Sequence, residues 1–342
     1  MPTDPAVTVL MPIYNGAAYA PEAIDSILAQ TFGDFELLIV DDGSTDGTGA
    51  LLEAYARGDP RIRLFRNREN AGLTRRLNEG LALARGAYIA RMDGDDVSLP
   101  ERLERQVAFM QANPRVGICG AWVQKIGELG YGVEHYPSDD ADIRCHLLFA
   151  NVLAHPAAIM RRSLFAELGL AYDSSYQRAQ DYDLWVRAAE HVALANIPQV
   201  LLRYRMHRDQ AGQREQEDQD RAAMLVRRRL LERLGLQPSV AELALHQAIS
   251  ASRFQPTREL VAAAERWLRA LAEANRRAGR YDKAALARLL AARWYTLCRL
   301  STALGPWVWR IYRRSPLRRP APVGWPRLIK FALKCMARSP SL

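Results

Sequence analysis

The sequence is poor in cysteine, and the four it has stand apart: Cys119, Cys145, Cys298 and Cys335 form no CxxC pair. That spacing suggests neither a zinc site nor a disulfide framework, and a reduced, cytosolic compartment fits it best. Long apolar runs are also missing. Nowhere do 18 uncharged apolar residues follow one another, which argues against a membrane-spanning helix. The opening stretch MPTDPAVTVL has no basic segment leading into an apolar one, so it does not read as a signal peptide. Acidic residues are nearly absent from the far end. Between Tyr281 and Leu342 there are 13 Lys or Arg and a single acid, Asp282, while the rest of the chain carries 34 basic and 37 acidic residues. The basicity therefore belongs to the tail, which argues against a nucleic-acid groove across the main domain.

What is present is an ordinary globular composition, 49% hydrophobic and 25% charged, which excludes disorder and collagen-like repeats. With 342 residues the chain has room for one or two domains. The first part alternates strand and helix patterns. Val7 to Met11 is an apolar run ending at Pro12 and the polar loop Tyr14-Asn15-Gly16. Pro21 suits the first turn of a helix whose apolar face is Ile24, Ile27 and Leu28. Phe35 to Val40 closes on Asp41-Asp42-Gly43-Ser44. Ile62, Leu64 and Phe65 suggest a third strand. Leu73, Leu77, Leu81 and Ala84 keep helical spacing up to Gly86. Tyr88 to Met92 then runs into Asp93-Gly94-Asp95-Asp96. Near-continuous apolar strands separated by helices predict a mostly parallel α/β sheet covered on both faces. Ligands of such sheets sit at the carboxyl ends of the strands, where all three polar clusters fall. From Val116 to His207 short strands and turns surround one clear helix, with Asp181 at its start and Leu184, Trp185, Ala188 and Ala189 on one face. Helices follow, and a boundary is expected near residue 212.

Each cluster has two readings. Three carboxylates in Asp93-Gly94-Asp95-Asp96 repel one another, so folding them together calls for a hard cation such as Mg²⁺ or Mn²⁺, or for a solvated turn capping the next helix. The Asp42 carboxylate can accept the N–H of a pyrimidine ring or a ribose hydroxyl, or it can close an Asx-turn with Gly43 at positive φ. Tyr14 can stack on a base or simply pack. Asp181 can act as a general base or serve as a dipole-stabilised carboxylate at a helix N-terminus.

In their order and spacing, the segments VTVLMPIYNG, FELLIVDDGSTDGT, NAGLTRRLNEGLALARG and YIARMDGDDVSLPERL resemble the family 2 glycosyltransferases. The resemblance continues through HPAAIMRRSLF and AQDYDLWVRAAE and ends near YRMHRDQ, covering roughly the first 210 residues. It implies a GT-A-like, Rossmann-type fold and an inverting transfer from a nucleotide sugar, with Mn²⁺ or Mg²⁺ as cofactor and a UDP- or dTDP-sugar as donor. It places Pro12, Tyr14 and Asn15 in the first nucleotide loop, Asp42 on the pyrimidine, Asp93 and Gly94 by the ribose, and Asp95 as the firmer metal ligand beside Asp93. Asp181 matches the family's base. The usual Glu-Asp pair is here Gln180-Asp181, so a neighbouring carboxylate is missing. His207 stands where some relatives set a histidine against metal or diphosphate. His155 is a candidate for the acceptor side. Of Arg75 and Arg76 at most one reaches phosphate, because adjacent helical residues point apart; Arg76 is the candidate.

The tail interleaves Trp294, Tyr295, Trp307, Trp309, Tyr312 and Trp325 with arginines, a mixture suited to an anionic membrane surface or to a basic helical cap with an aromatic core. The expectation is a catalytic domain over 1–212 and a helical, basic region over 213–342. The enzyme would be cytoplasmic, peripheral on the inner membrane face, and would act on a saccharide or polyprenyl-diphosphate-linked saccharide in surface polysaccharide biosynthesis. Two rivals remain: a nucleotidyltransferase, disfavoured because Met11 to Tyr19 has one glycine and no cation, and a non-catalytic scaffold that binds nucleotide sugars. A dehydrogenase is weaker still, because no GxGxxG follows the first strand.

Overall fold

The computed structural model describes residues 4–176, 178–206, 213–320 and 323–338. The chain divides into two compact units, one made of Met1–Asp140 and Asn151–Ala223, the other of Ala141–Ala150 and Met224–Leu342. The division thus falls beyond residue 212, and a short internal segment belongs with the C-terminal helices.

The first unit is built on a mixed sheet of nine strands. Its leading part holds β1 (Val7–Ile13), α1 (Ala20–Leu28), β2 (Phe35–Asp41), α2 (Thr48–Gly58), β3 (Ile62–Arg66), α3 (Leu73–Leu83) and β4 (Tyr88–Arg91). These strands pair in parallel in the order β3-β2-β1-β4. Every residue of β1 and β2 is buried, as strands covered on both faces should be. Val7, Val9 and Met11 share a core with Ile24 and Ile27 of α1. On the other face, Gly80 of α3 leaves room for Leu10: a Cβ there would sit 2.1 Å from a Leu10 methyl.

The chain then adds β5 (Val97–Ser98), α4 (Arg102–Ala112), β6 (Val116–Ile126), β7 (Gly132–Glu134), β8 (Ile159–Arg161), α6 (Ser163–Leu168), α7 (Gln180–Ala188) and β9 (Ala193–Arg205), while α5 (Asp140–His146) belongs from Ala141 on to the second unit. β8 joins the parallel half antiparallel to β4, and the sheet continues β8-β6-β9-β5 with β7 on the edge of β6. Because β2 and β4 flank β1 on opposite sides, successive connections leave β1 in opposite directions, which opens a crevice at its carboxyl end.

The first strand does not stop before Pro12, as the sequence suggested; it runs through Pro12 to Ile13, and Pro12 pairs with Val40. Leu10 accepts from Met92 N on the β4 side while Ile13 accepts from Asp42 N on the β2 side. By alternation Pro12 faces the β4 side, where β4 has already ended, so its missing N–H costs no ladder bond.

The second unit is helical: the later turns of α8 (Gln213–Arg233), then α9 (Val240–Ala251), α10 (Arg258–Ala278), α11 (Lys283–Leu300), α12 (Pro306–Arg314) and α13 (Trp325–Met336). Starts are well specified. Ser239 and Glu242 form a reciprocal capping box, and Thr257 and Asp282 cap α10 and α11. The 141–150 segment is held by a buried histidine. The indole N–H of Trp267 donates to His246 Nδ1 at 3.0 Å. Nε2 therefore carries the ring proton and donates to the Leu148 carbonyl at 2.8 Å, while Phe149 stacks on the ring at 4.7 Å.

Candidate active site

A cavity of ≈ 720 Å³ beyond the end of β4 is lined by Arg91, Asp93, Asp95, Asn151, His155, Arg178, Asp181 and Tyr204, among others. Its acidic wall follows from the end of β4. One carboxylate oxygen from each of Asp93, Asp95 and Asp96 lies within 4.8 Å of the others. Gly94 packs closely between them: a Cβ there would come 2.9 Å from the Ile13 side chain at the end of β1, which would have to shift.

Two arginines that no motif announced hold this turn. Arg91, 1% exposed, forms an ion pair with Asp93. Burial opposes its charge, and Asp93, Tyr172 and Asp96 together more than offset that opposition. Arg205, at the end of β9, donates from its backbone N to Asp96 Oδ1 at 2.8 Å and from Nε to the Asp95 carbonyl at 2.7 Å. It also reaches Glu22 of α1 at 2.5 Å. Asp96 is fully buried, and among the described residues its Oδ2 has no hydrogen-bond partner. Burial, then repulsion from Asp93 and Asp95, holds its carboxyl well above the ordinary range. Three clustered hard oxygen donors with an orphaned oxygen behind them fit a divalent cation at Asp93 and Asp95.

Opposite this wall stands Asp181, in the first turn of α7. Asn151 donates to its Oδ2 at 2.7 Å. Burial raises its carboxyl above the ordinary value, against the lowering pull of the Tyr182 backbone, Arg91 and Asn151. The residue that starts the helix, Ala179, sits at φ 59°, a left-handed conformation that costs a non-glycine residue about 1 kcal/mol. Gln180, in place of the family's glutamate, is buried. His155 lines the same cavity. It hydrogen-bonds Tyr172 Oη at 2.8 Å and packs edge-on to Trp185, and burial keeps its imidazole neutral, well below the usual histidine range.

The other sequence candidates lie at neighbouring strand ends and do not line this cavity. Tyr14 is 49% exposed, free to meet a flat ring. Asn15, at φ 49°, receives Thr45 N on its Oδ1 at 2.8 Å, and its own N–H donates to Ser44 Oγ at 2.9 Å. The loops after β1 and β2 are thereby tied together. Asp42 is nearly enclosed: Oδ1 accepts from Ala71 N at 2.8 Å and Arg76 Nε at 2.6 Å, and Oδ2 from Gly72 N at 2.9 Å. Of about four lone-pair positions, one on Oδ2 remains.

Arg76, the sequence candidate for phosphate, is turned into the protein. Its guanidinium is buried between Asp42, Glu79 at 2.8 Å and the Glu69 carbonyl at 2.8 Å, and the exposed member of the pair is Arg75. Arg76 instead sets the position of Asp42. His207 lies outside the described residues.

Comparison with known proteins places the chain in a family. Residues 8–169 match the family model for Glycosyl transferase family 2. An uncharacterized glycosyltransferase of Haemophilus influenzae is 32% identical over 238 residues, which cover 67% of this chain and 74% of that protein. EpsE of Bacillus subtilis, which bears a glycosyltransferase name, is 38% identical over 194 residues, 56% of this chain and 69% of EpsE. Among solved structures, S. aureus TarS 1-349 in complex with UDP-GlcNAc superposes with a TM-score of 0.57 at 18% identity, covering 91% of this chain and 88% of that one. The same TarS fragment with UDP gives 0.56. The structural likeness concerns the fold, and the sequence relatives carry the family: this chain belongs to glycosyl transferase family 2, on a GT-A-like fold.

Proposed function

We propose that this glycosyltransferase inverts configuration, moving a sugar from a UDP- or dTDP-sugar to an acceptor hydroxyl with Asp181 as general base. The observation that carries the reading is that Asp181 and the Asp93–Asp95 wall line one cavity of ≈ 720 Å³, within the range of small-molecule sites. The acceptor hydroxyl gives its proton to Asp181 as its oxygen bonds to the anomeric carbon from one side. The bond from that carbon to the diphosphate breaks on the other, and its electron pair leaves with the nucleoside diphosphate. The raised carboxyl pKa makes Asp181 a better proton acceptor than an ordinary aspartate. Asn151 aims the carboxylate, and neutral His155 can hydrogen-bond an acceptor hydroxyl without competing as an acid. Tyr14 stacks on the pyrimidine, whose N–H the free position on Asp42 accepts, and Pro12 and Asn15 shape the loop beneath. The TarS complexes with UDP and UDP-GlcNAc favour a uridine donor. Mn²⁺ or Mg²⁺ held by Asp93 and Asp95 would supply neutralising charge to the diphosphate. The acceptor is a saccharide, free or on a polyprenyl diphosphate, in surface polysaccharide assembly.

The test is nucleoside-diphosphate release from a panel of nucleotide sugars with Mn²⁺ or Mg²⁺, with and without EDTA, and with Asp95→Ala and Asp181→Asn beside the parent. Metal-dependent release from one pyrimidine donor, lost in both variants, is the expected result. Donor binding that ignores both metal and Asp95 would overturn the site.

A further inference from the structure

We propose that the solvent-facing side of α13 seats this protein on an anionic lipid surface, an inference independent of the reaction assigned above. The tail's aromatic residues divide into two groups in the structure. Trp294 and Tyr312 are buried, and Trp309, Tyr312 and Tyr295 surround the Phe331 ring with centroids 5.6, 5.3 and 5.7 Å away. Trp307 meets Arg258 at 5.5 Å. Trp294, Tyr312 and Phe331 belong to the core of the helical unit, and Tyr295, Trp307 and Trp309 are half-buried against it.

The opposite side of α13 is different. Trp325, Ile329, Leu333 and Met336 are 79%, 55%, 63% and 58% exposed. Their spacing, i, i+4, i+8 and i+11, places them on one helical face, while Phe331 and Cys335 occupy the buried one. Single exposed apolar residues need no explanation, and the unit's others, Leu225 and Val240, are such isolated cases. A continuous stripe over three turns is not of that kind.

Charge complementarity names the occupant. Between Pro306 and Arg338 the chain has no Asp or Glu. Arg327 and Lys330 are exposed on α13, with Arg310, Arg313 and Arg314 exposed on α12, which packs against it. The stripe is a convex helix face and not a groove, so it offers no pocket for a peptide; a fluid surface of anionic headgroups adapts to it. An interfacial helix buries its apolar face at the acyl boundary, keeps a tryptophan at headgroup level, and lets flanking cations reach phosphate. Among the described residues no helix is long and apolar enough to cross a membrane, so the contact is peripheral.

The experiment is flotation of the full chain with phosphatidylcholine vesicles and with phosphatidylcholine–phosphatidylglycerol vesicles. The unmodified protein should float with the anionic vesicles only. Ile329→Ser with Leu333→Ser should lower the bound fraction at least about tenfold, and Arg327→Gln with Lys330→Gln by roughly tenfold. All four positions are exposed, so melting temperature and sugar-nucleotide turnover in detergent-free buffer should stay at parental values. Equal flotation with neutral vesicles, or unchanged flotation of both double variants, would overturn the proposal. So would a concentration-dependent dimer abolished by Ile329→Ser with Leu333→Ser in a protein that does not float, which would assign the stripe to a second copy.

Discussion

Charged side chains are buried in the two units in different numbers and for different ends. The sheet unit encloses Glu36, Asp41, Asp42, Arg76, Arg91, Asp96, Arg102 and Asp183, most of them near the carboxyl ends of its strands. In the helical unit, among the described residues, the buried side chains with a formal charge reduce to Arg227, and the other cations are half-buried or exposed. Taking an ion out of water costs several kcal/mol even after relaxation, so a fold keeps buried ions where pairing and use justify them. At the β4 end they hold a turn of like charges in place. In the helical unit nothing requires them, and the core is Trp, Leu and Ala instead.

Four measurements can break or sharpen this contrast. The largest expected effect is in the sheet unit: Asp181→Asn should lower the transfer rate about 10²–10⁴-fold with donor affinity retained by calorimetry. If kcat is unchanged, the buried carboxylate is structural and the contrast loses its functional half. Next, Arg91→Met should destabilise the sheet unit by about 3 kcal/mol in urea unfolding, because the carboxylates around it lose their buried partner. A small change would mean that solvent screens Asp93 without help.

The third concerns the helical unit, whose buried titratable group must stay neutral. Burial pushes His246 down to about 4 in the folded state, against about 6.5 in an unfolded chain. The unfolded chain then binds the extra proton between those values, so the stability contributed is complete above pH ~6.5 and is lost as pH falls toward ~4. Melting of the helical unit should decline across that window by at most about 3 kcal/mol of stability, and His246→Gln should flatten the decline. The smallest effect is a displacement: with the Asp181 carboxyl raised, the acid limb of kcat/KM should fall at a higher pH than for an ordinary aspartate, and activity should rise with pH through it. A limb in the ordinary range would show that Asn151 and Arg91 outweigh burial.

Much of the rim was legible because strand ends announce themselves. An apolar run that stops at Asp93 or Asp42 tells which end of a parallel strand a carboxylate occupies, and Tyr14 was found exposed at such an end. The opposite wall was legible only in Asp181. Asn151 and Tyr172, which orient Asp181 and His155, sit in stretches without periodicity or motif. Arg91 was hidden in plain view: within YIAR it reads as one more strand residue, and nothing local says that its side chain turns inward to Asp93. The surroundings of Arg76 were hidden for a related reason. Helical spacing shows that Arg75 and Arg76 diverge, but only the packed loop at Glu69 to Gly72 shows that the inward one meets Asp42. In the tail, composition was legible and its partition was not.

The sequence by itself determined the family, the parallel half of the sheet and the carboxylates at its rim, because these follow from periodicity and from residues adjacent in the chain. Only the tertiary structure decided which arginines neutralise that rim, how a ten-residue segment from the middle of the chain joins the C-terminal helices, and which aromatic rings are core and which are surface. Those outcomes depend on contacts between residues far apart in sequence, and no local pattern of hydrophobicity or charge encodes which of two faces will find a partner.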